Sequence, residues 1–388
     1  MSEPTVSFDV NSTREAGCHS QQGESPRTSA VAAAGACADR TQGTPGADLV
    51  RFEEVFSYEH LLNAALACCK GVRWKSSTQV YEASLPMRVA ILHDQLINGT
   101  WKSKGFNEFR INERGKARRI QAVHITERTV QKCLVQYGLR PLIMPKLIAH
   151  SFATLPGKGT EAALKQHKEH LRWWYARHRR EGYIATMDYH DYFASVQHNK
   201  LKALYACLPI DERLYQLTCY LIDCFDGDRG LGLGSEISQI SSLLYINSVD
   251  HLAKDRLGLH CYGRYMDDAY LIADKQQAQE ALAAITAESQ RLGLTFNTKA
   301  TQLRPLTQGW HYLKKRVMLT ETGRIVMRLE RDNIKRARQR LRKNAELVAA
   351  GIMTLESAAQ SWQSWQAYAS RYNAHNTTKT VAATPYYS

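Results

Sequence analysis

The chain has 388 residues, with 51 Lys and Arg against 37 Asp and Glu, a formal charge of +14 and a pI near 9.3. Its 44% apolar content excludes a disordered polymer and allows two or three subdomains around a substantial core. No apolar run approaches membrane-spanning length, and the nine cysteines lack metal-ligand spacing; their odd number without a secretory signal reads as reduced thiols in a cytoplasmic protein.

The positive balance suits a surface that tracks a phosphate backbone, although charge alone equally fits a membrane-surface binder or simple solubility. Residues 1–50 are rich in Ser, Thr, Gly and Ala without periodicity, which reads as a disordered tail. From Phe52 the chain turns helix-rich, with apolar stripes over 58–70 and 86–98. A strand-like piece at 106–111 runs into Glu113-Arg114-Gly115-Lys116-Ala117-Arg118-Arg119-Ile120, a glycine-centred turn crowded with cations that by itself reads as a solvated hairpin tip. A helix over 126–138 and a Pro-bounded stretch, 141–145, follow. The segment 151–160 contains Gly157-Lys158-Gly159-Thr160. It lacks the first glycine of a phosphate-binding loop, which excludes P-loop hydrolase chemistry.

An apolar strand over 183–187 ends in Asp188, and an aromatic-rich turn follows it. The loop Gly230-Leu231-Gly232-Leu233-Gly234-Ser235-Glu236-Ile237-Ser238-Gln239 leads into an apolar helix over 240–252. Backbone without Cβ atoms can approach a nucleotide closely. Next come two short strands flanking Tyr265-Met266-Asp267-Asp268, then a helix over 275–292. The Asp pair falls in the tight turn, where the pleat no longer buries it. Two adjacent carboxylates at a hairpin oppose folding unless a cation neutralises them, and magnesium, completed by substrate phosphate oxygens, suits such a site. The segments 292–299 and 309–317 follow, the latter hairpin-like. Residues 331–350 form a strongly basic helix whose like charges at three and four residue spacing call for a polyanion. A second helix, 354–368, carries Trp362, Trp365 and Tyr368 on one side, read as core.

The Tyr265–Asp268 turn between apolar strands resembles the catalytic motif of reverse transcriptases. Asp188, with Tyr192 and Phe193 four and five residues on, resembles the first catalytic motif of the same family in the same order. The resemblance covers residues from about 60 to 345 and belongs with the retron, group II intron and diversity-generating retroelement enzymes of bacteria. It implies an α+β right-hand polymerase: helices and fingers over 51–180, a palm of antiparallel sheet packed on helices over 181–310, and a primer-grip hairpin with a helical thumb over 311–388. The implied reaction is RNA-directed extension of a DNA or RNA primer with deoxynucleoside triphosphates. Asp188, Asp267, Asp268 and the Tyr189 carbonyl would hold two magnesium ions, or manganese. Lys116, Arg118 and Arg119 would grip the triphosphate, with the inward-pointing cation left open. Phe193 would exclude a ribose 2′ hydroxyl, and Leu233, Gly234 and Gln239 would line the nucleotide. Lys299 is the candidate general acid toward pyrophosphate. Lys158, Lys314, Lys315, Lys335, Arg338 and Arg342 are candidate template or primer contacts.

Two departures from the family pattern matter. The glycine loop of retrons and group II introns usually reads Pro-Gln-Gly-Ser-Pro; here Leu233 takes the Gln position, and Ser238-Gln239 closes the loop. That resembles diversity-generating and defence-associated bacterial members, and in the former the position goes with relaxed fidelity. In the primer-grip motif Phe-Leu-Gly, Lys314 replaces the Gly. A template-independent or protein-primed polymerase of phage defence stays open as an alternative, as does a nucleic-acid-binding scaffold. The remaining length leaves no room for a maturase, endonuclease, integrase or ribonuclease H region, so an element-encoded noncoding RNA or accessory protein is expected as partner, without a membrane.

Overall fold

The computed structural model of the chain describes residues 49–113 and 116–382. The proposed tail at 1–48 and the hairpin tip Arg114-Gly115 lie outside the described residues, as do the side chains of Glu113 and Lys116. Val50, inside the expected tail, is already part of the fold, since its amide donates to the Pro209 carbonyl at 2.9 Å.

The N-terminal elements are helical: α1 (Phe52–Val55), α2 (Tyr58–Cys69), α3 (Ser76–Ala83) and α4 (Leu85–Ile97). The Ser57 side chain caps α2 by accepting from the His60 amide at 3.3 Å. A hairpin follows, β1 (Phe106–Glu113) with β2 (Lys116–Val123), in register from Phe106↔Val123 to Glu113↔Lys116. Next come α5 (Ile125–Cys133), which runs on through a π-helical stretch to Leu139, the short α6 (Arg140–Ile143), and the long α7 (Thr160–His178).

A four-stranded antiparallel sheet lies at the centre, in the order β4-β5-β3-β6. Its members are β3 (Tyr183–Asp188), β4 (Cys261–Tyr265), β5 (Asp268–Ala273) and β6 (Gln302–Pro305). Between β3 and β4 run α8 (Tyr192–Ser195), α9 (His198–Ala206), α10 (Glu212–Asp223), α11 (Glu236–Tyr245) and α12 (Asn247–His251). The helix expected over 240–252 therefore starts four residues earlier and breaks at Ile246. The connection from β5 to β6 carries α13 (Lys275–Arg291), capped by Asp274, which accepts from the Gln277 amide at 2.9 Å. A separate three-stranded sheet, β7 (Trp310–Tyr312), β8 (Lys315–Leu319) and β9 (Ile325–Leu329), leads into α14 (Arg331–Ala349), α15 (Leu355–Ser370) and α16 (His375–Ala382).

Both faces of the central sheet are covered, which explains why its strands read as apolar runs. Along β3 and β5 alternate residues enter two different cores. Ala185, Met187, Ala269, Leu271 and Ala273 face the helical core, while Ile184, Tyr270 and Ile272 face α7 and the three-stranded sheet. Residues 150–152 run alongside the edge strand β4. The Arg264 amide donates to the His150 carbonyl at 3.0 Å, and the Phe152 amide donates to the Arg264 carbonyl at 3.0 Å.

One charge sits inside this apolar frame. Arg264 on β4 is 0% exposed and is paired with the equally buried Asp250 of α12. Its Nη2 lies 2.6 Å and its Nε 2.8 Å from the carboxylate, and the Tyr262 hydroxyl donates to the same group at 2.8 Å. The remaining guanidinium nitrogen, Nη1, donates to the Met266 carbonyl at 3.0 Å. Removing one member of such a pair strands the other. Asp250→Ala should therefore cost about 3–5 kcal/mol in urea unfolding, and a loss below about 1 kcal/mol would reduce the pair to the rank of a surface ion pair.

Candidate active site

Three carboxylates meet at the end of the central sheet because of strand register. Asp188 closes β3 directly opposite Asp268, which opens β5, and Tyr265 pairs with Asp268 across the β4–β5 turn. Only Met266 and Asp267 occupy the turn itself, with Met266 left-handed at φ 56°. A non-glycine residue holds that conformation only when its surroundings compel it. Here the Met266 carbonyl is held by Arg264, and its sulfur accepts from the Ser242 hydroxyl at 3.1 Å. The methionine side chain is thus a buried anchor that fixes how Asp267 is presented.

The carboxylates are half-buried, in contrast to the expected bare turn. Burial pushes the Asp268 carboxyl up to about 7, with the charges of Asp267 and Asp188 adding to it and Lys314 opposing. Asp267 is raised for the same leading reason, burial, with Asp188 adding and Arg118 and Lys314 opposing. The segment after α13 braces Asp188. The Asn297 side-chain amide donates to its carboxylate at 3.1 Å, the Asn297 backbone amide donates to its carbonyl at 2.7 Å, and its own amide donates to Thr301 Oγ1 at 3.3 Å. Tyr189 stacks on Phe296 at 4.4 Å, and its amide donates to the Asp267 carbonyl at 3.3 Å, tying the strand end to the turn.

The three acids line a cavity of about 900 Å³ together with Arg118, Phe193, Leu233, Lys314 and Lys315. Strand alternation separates the hairpin cations. Arg118 reaches this cavity, whereas Arg119 is paired with Glu108 and lies 3.4 Å from Asp226; the side chain of Lys116 lies outside the described residues. The glycine loop docks on the hairpin, with the Gln121 amide donating to the Leu233 carbonyl at 3.1 Å. A Cβ on Gly232 would lie 2.4 Å from Gln121 Oε1 and 2.6 Å from the Phe225 ring. This glycine is thus required by packing against Phe225 and the hairpin.

Several expected contacts are turned elsewhere. Lys158 donates to the carbonyls of Ala149 and Ser151 at 2.7 and 2.9 Å, closing its own loop instead of facing a phosphate. Lys315 stays in the cavity wall but is 3% exposed; its Nζ donates to the Tyr368 hydroxyl at 2.6 Å and lies 4.5 Å from the centre of the Tyr372 ring, both residues of the same wall. Lys299 sits in an exposed turn, and it, Gly234 and Gln239 of α11 all lie outside the lining of the cavity. On α14, Lys335, Arg338 and Arg342 share the face opposite Asn333, Arg336 and Arg340, and the cavity is lined by Asn333 and Arg336. Trp362, Trp365 and Tyr368 are half-buried and pack against the edges of the buried clusters, Trp362 and Trp365 on Ala337, Leu341 and Val381, Tyr368 on the core under the three-stranded sheet.

Sequence reading missed Asn297 and Arg264. The signal for Arg264 was a charge in the apolar strand Cys261-Tyr262-Gly263-Arg264-Tyr265; for Asn297 only its place two residues before Lys299 was available. Among the described residues no three His, Cys, Asp or Glu side chains close on one metal position. The expected ligands are therefore not preassembled into a cage. Hard oxygen donors spread around an open cavity fit a magnesium ion whose shell is completed by substrate phosphate.

The raised Asp268 carboxyl has a stability consequence in metal-free buffer. Between 3.8 and about 7, the folded chain holds a proton that the unfolded chain has released. The group therefore weakens the fold progressively as pH rises through that window, and fully above it. Asp268→Asn should raise the thermal midpoint by a few degrees at pH 8 in chelator and leave it nearly unchanged at pH 4. Equal effects at both would show that the carboxylate is not strained.

No curated protein matches the chain. The family model described as reverse transcriptase (RNA-dependent DNA polymerase) matches residues 103–314, more than half of the chain, and that span contains all three carboxylates, Arg118, Phe193, Leu233 and Lys314. The chain belongs to the reverse transcriptase family and is an RNA-directed DNA polymerase, a nucleotidyltransferase.

Proposed function

We propose that the cavity extends a primer with deoxynucleotides by two-metal nucleotidyl transfer, in a right-hand arrangement with α2–α5 and the β1–β2 hairpin as fingers, the central sheet as palm and α14–α16 as thumb. The observation that carries this is the register of β3, β4 and β5, which sets Asp188, Asp267 and Asp268 around one cavity with Arg118 and Lys314 at its rim. Asp188, Asp267, Asp268 and the Tyr189 carbonyl are the oxygen donors for divalent metal. Bound metal would supply Lewis acidity to the primer 3′ hydroxyl and neutralise charge on the triphosphate. Template, primer and deoxynucleoside triphosphates follow from the family. A bacterial or prophage retroelement or anti-phage defence origin, with a separately encoded RNA or protein partner in the cytoplasm, is the setting supported by Leu233 at the glycine-loop position.

The chain's own groups divide the remaining work. Arg118 meets the triphosphate with charge, and Lys314 meets primer phosphate. Phe193, five residues after Asp188 and in the lining of the cavity, is the ring that would meet a ribose 2′ hydroxyl. Asn297 orients the Asp188 carboxylate, leaving one of its oxygens for metal.

Asp267→Asn should abolish primer extension while template binding, read by anisotropy, stays within about twofold; a mutant that still polymerises removes the two-metal reading. Phe193→Ala should raise ribonucleotide incorporation at least tenfold by a rough estimate. Unchanged sugar discrimination in that variant would take Phe193 out of the nucleotide site.

A further inference from the structure

Tyr312 on β7 lines the carboxylate cavity and is 4% exposed, yet its hydroxyl is buried without a hydrogen-bond partner among the described residues. A buried donor left without an acceptor is costly, and in the wall of a functional cavity it calls for an explanation. In the Phe-Leu-Gly pattern that Tyr312-Leu313-Lys314 resembles, the first position carries no hydroxyl. Packing of the hairpin therefore does not account for the group. We propose that, with divalent metal in the cavity, the Asp268 side chain turns to accept a hydrogen bond from the Tyr312 hydroxyl. That bond then fixes the angle at which Asp268 presents its other oxygen, and Tyr312 is a positioning residue acting through the acid.

The strands bring the two groups together. Asp268 and Tyr270 stand two residues apart on β5 and so share one face of the sheet. The Tyr270 ring meets the Tyr312 ring edge-on, with centres 4.9 Å apart. His167 packs on the Tyr312 ring at 4.8 Å, and Tyr312 pairs with Lys315 across the hairpin, so the phenol is a fixed donor. Burial first and the Asp268 charge second hold that phenol well above its ordinary range, and it faces the acid with its proton in place.

Asp268 lacks what the hydroxyl offers. Asp188 accepts from the Asn297 side chain at 3.1 Å, and Asp267 accepts from its own backbone amide. No hydrogen bond reaches the Asp268 carboxylate among the described residues, where the charge of Lys314 opposes its acidic neighbours. An unpartnered donor and an unpartnered acceptor thus line one cavity. Groups that hydrogen-bond to a ligating carboxylate orient it and raise its affinity for metal.

This role rests on the reading of the three acids as metal donors. Manganese binding to the full chain, read as loss of the free-ion electron paramagnetic resonance signal, tests it without turnover. Tyr312→Phe keeps the ring and removes the hydroxyl, and should weaken manganese binding about tenfold. Its melting midpoint in chelator should stay within about 2 °C of the parent. Tyr372→Phe, which removes another hydroxyl from the same wall, should leave manganese binding unchanged. Added to Asp268→Ala, Tyr312→Phe should cost nothing further, because the acceptor is gone; if Asp268→Ala binds no manganese, the single variant decides. Unchanged binding in Tyr312→Phe overturns the proposal, and so does an equal loss with and without Asp268. A midpoint lowered by more than about 5 °C overturns it too, since the hydroxyl then serves the fold. Asp267→Asn protein run in parallel separates the two readings. Manganese binding that survives Asp267→Asn unchanged removes the metal site itself, whereas unchanged binding in Tyr312→Phe alone removes only the positioning role.

Discussion

The geometry of the carboxylates depends on a guanidinium buried behind them. Arg264 holds Asp250, Ser151 and the Met266 carbonyl within reach of one planar group, and so joins α12, the 150–152 segment and the β4–β5 turn. A buried ion pair contributes little net stability, because desolvation offsets the Coulomb attraction. Its value here is directional. The fork geometry of arginine fixes the angle at which the turn leaves β4, and a left-handed Met266 persists only while that grip holds. A hydrophobic residue of similar volume could fill the space without holding the carbonyl.

The acids are built at the expense of the folded state. Register forces Asp188 and Asp268 opposite each other, and the packed sheet removes water from them. Arg118 and Lys314 oppose the resulting repulsion only in part, since the Asp268 carboxyl still sits well above the usual carboxylate range. An electrostatic deficit of this kind is a store of affinity for divalent cation and for the phosphate that comes with it. Part of the chain's positive charge reaches the acids through Arg118 of the β1–β2 hairpin and Arg336 of α14, which line the cavity, while Lys335, Arg338 and Arg342 lie on the other face of α14.

How much of this was legible in the sequence depended on whether a signal was local. Asp188, Asp267 and Asp268 stood out because charges interrupted apolar strands at their ends, and the strand and helix boundaries around them followed from periodicity. Direction was not legible. Lys158 and Lys315 carry the same charge as Lys314, yet the first is folded back on its own loop and the second is caged between Tyr368 and Tyr372. Both partnerships cross chain distances that pattern alone does not span, or rest on loop closure that pattern does not show. The α14 helix is cationic nearly all round, so spacing could not tell Arg336 and Arg340 from Lys335, Arg338 and Arg342. The histidine- and tryptophan-bearing α7 escaped notice because its buried His167 and His170 broke the apolar stripe.

The turn between β7 and β8 has a consequence of its own. Leu313 and Lys314 both adopt left-handed backbone, at φ 46° and 60°, in a two-residue hairpin loop of the kind that favours glycine or asparagine. Leu313 is buried and Lys314 exposed. A glycine at 314 would relax the backbone by about 1 kcal/mol, and in the same step withdraw a cation that steadies Asp267 and Asp268. Conformational ease and charge compensation therefore oppose each other at a single residue. Any improvement of the fold at that position comes with greater repulsion among the three carboxylates.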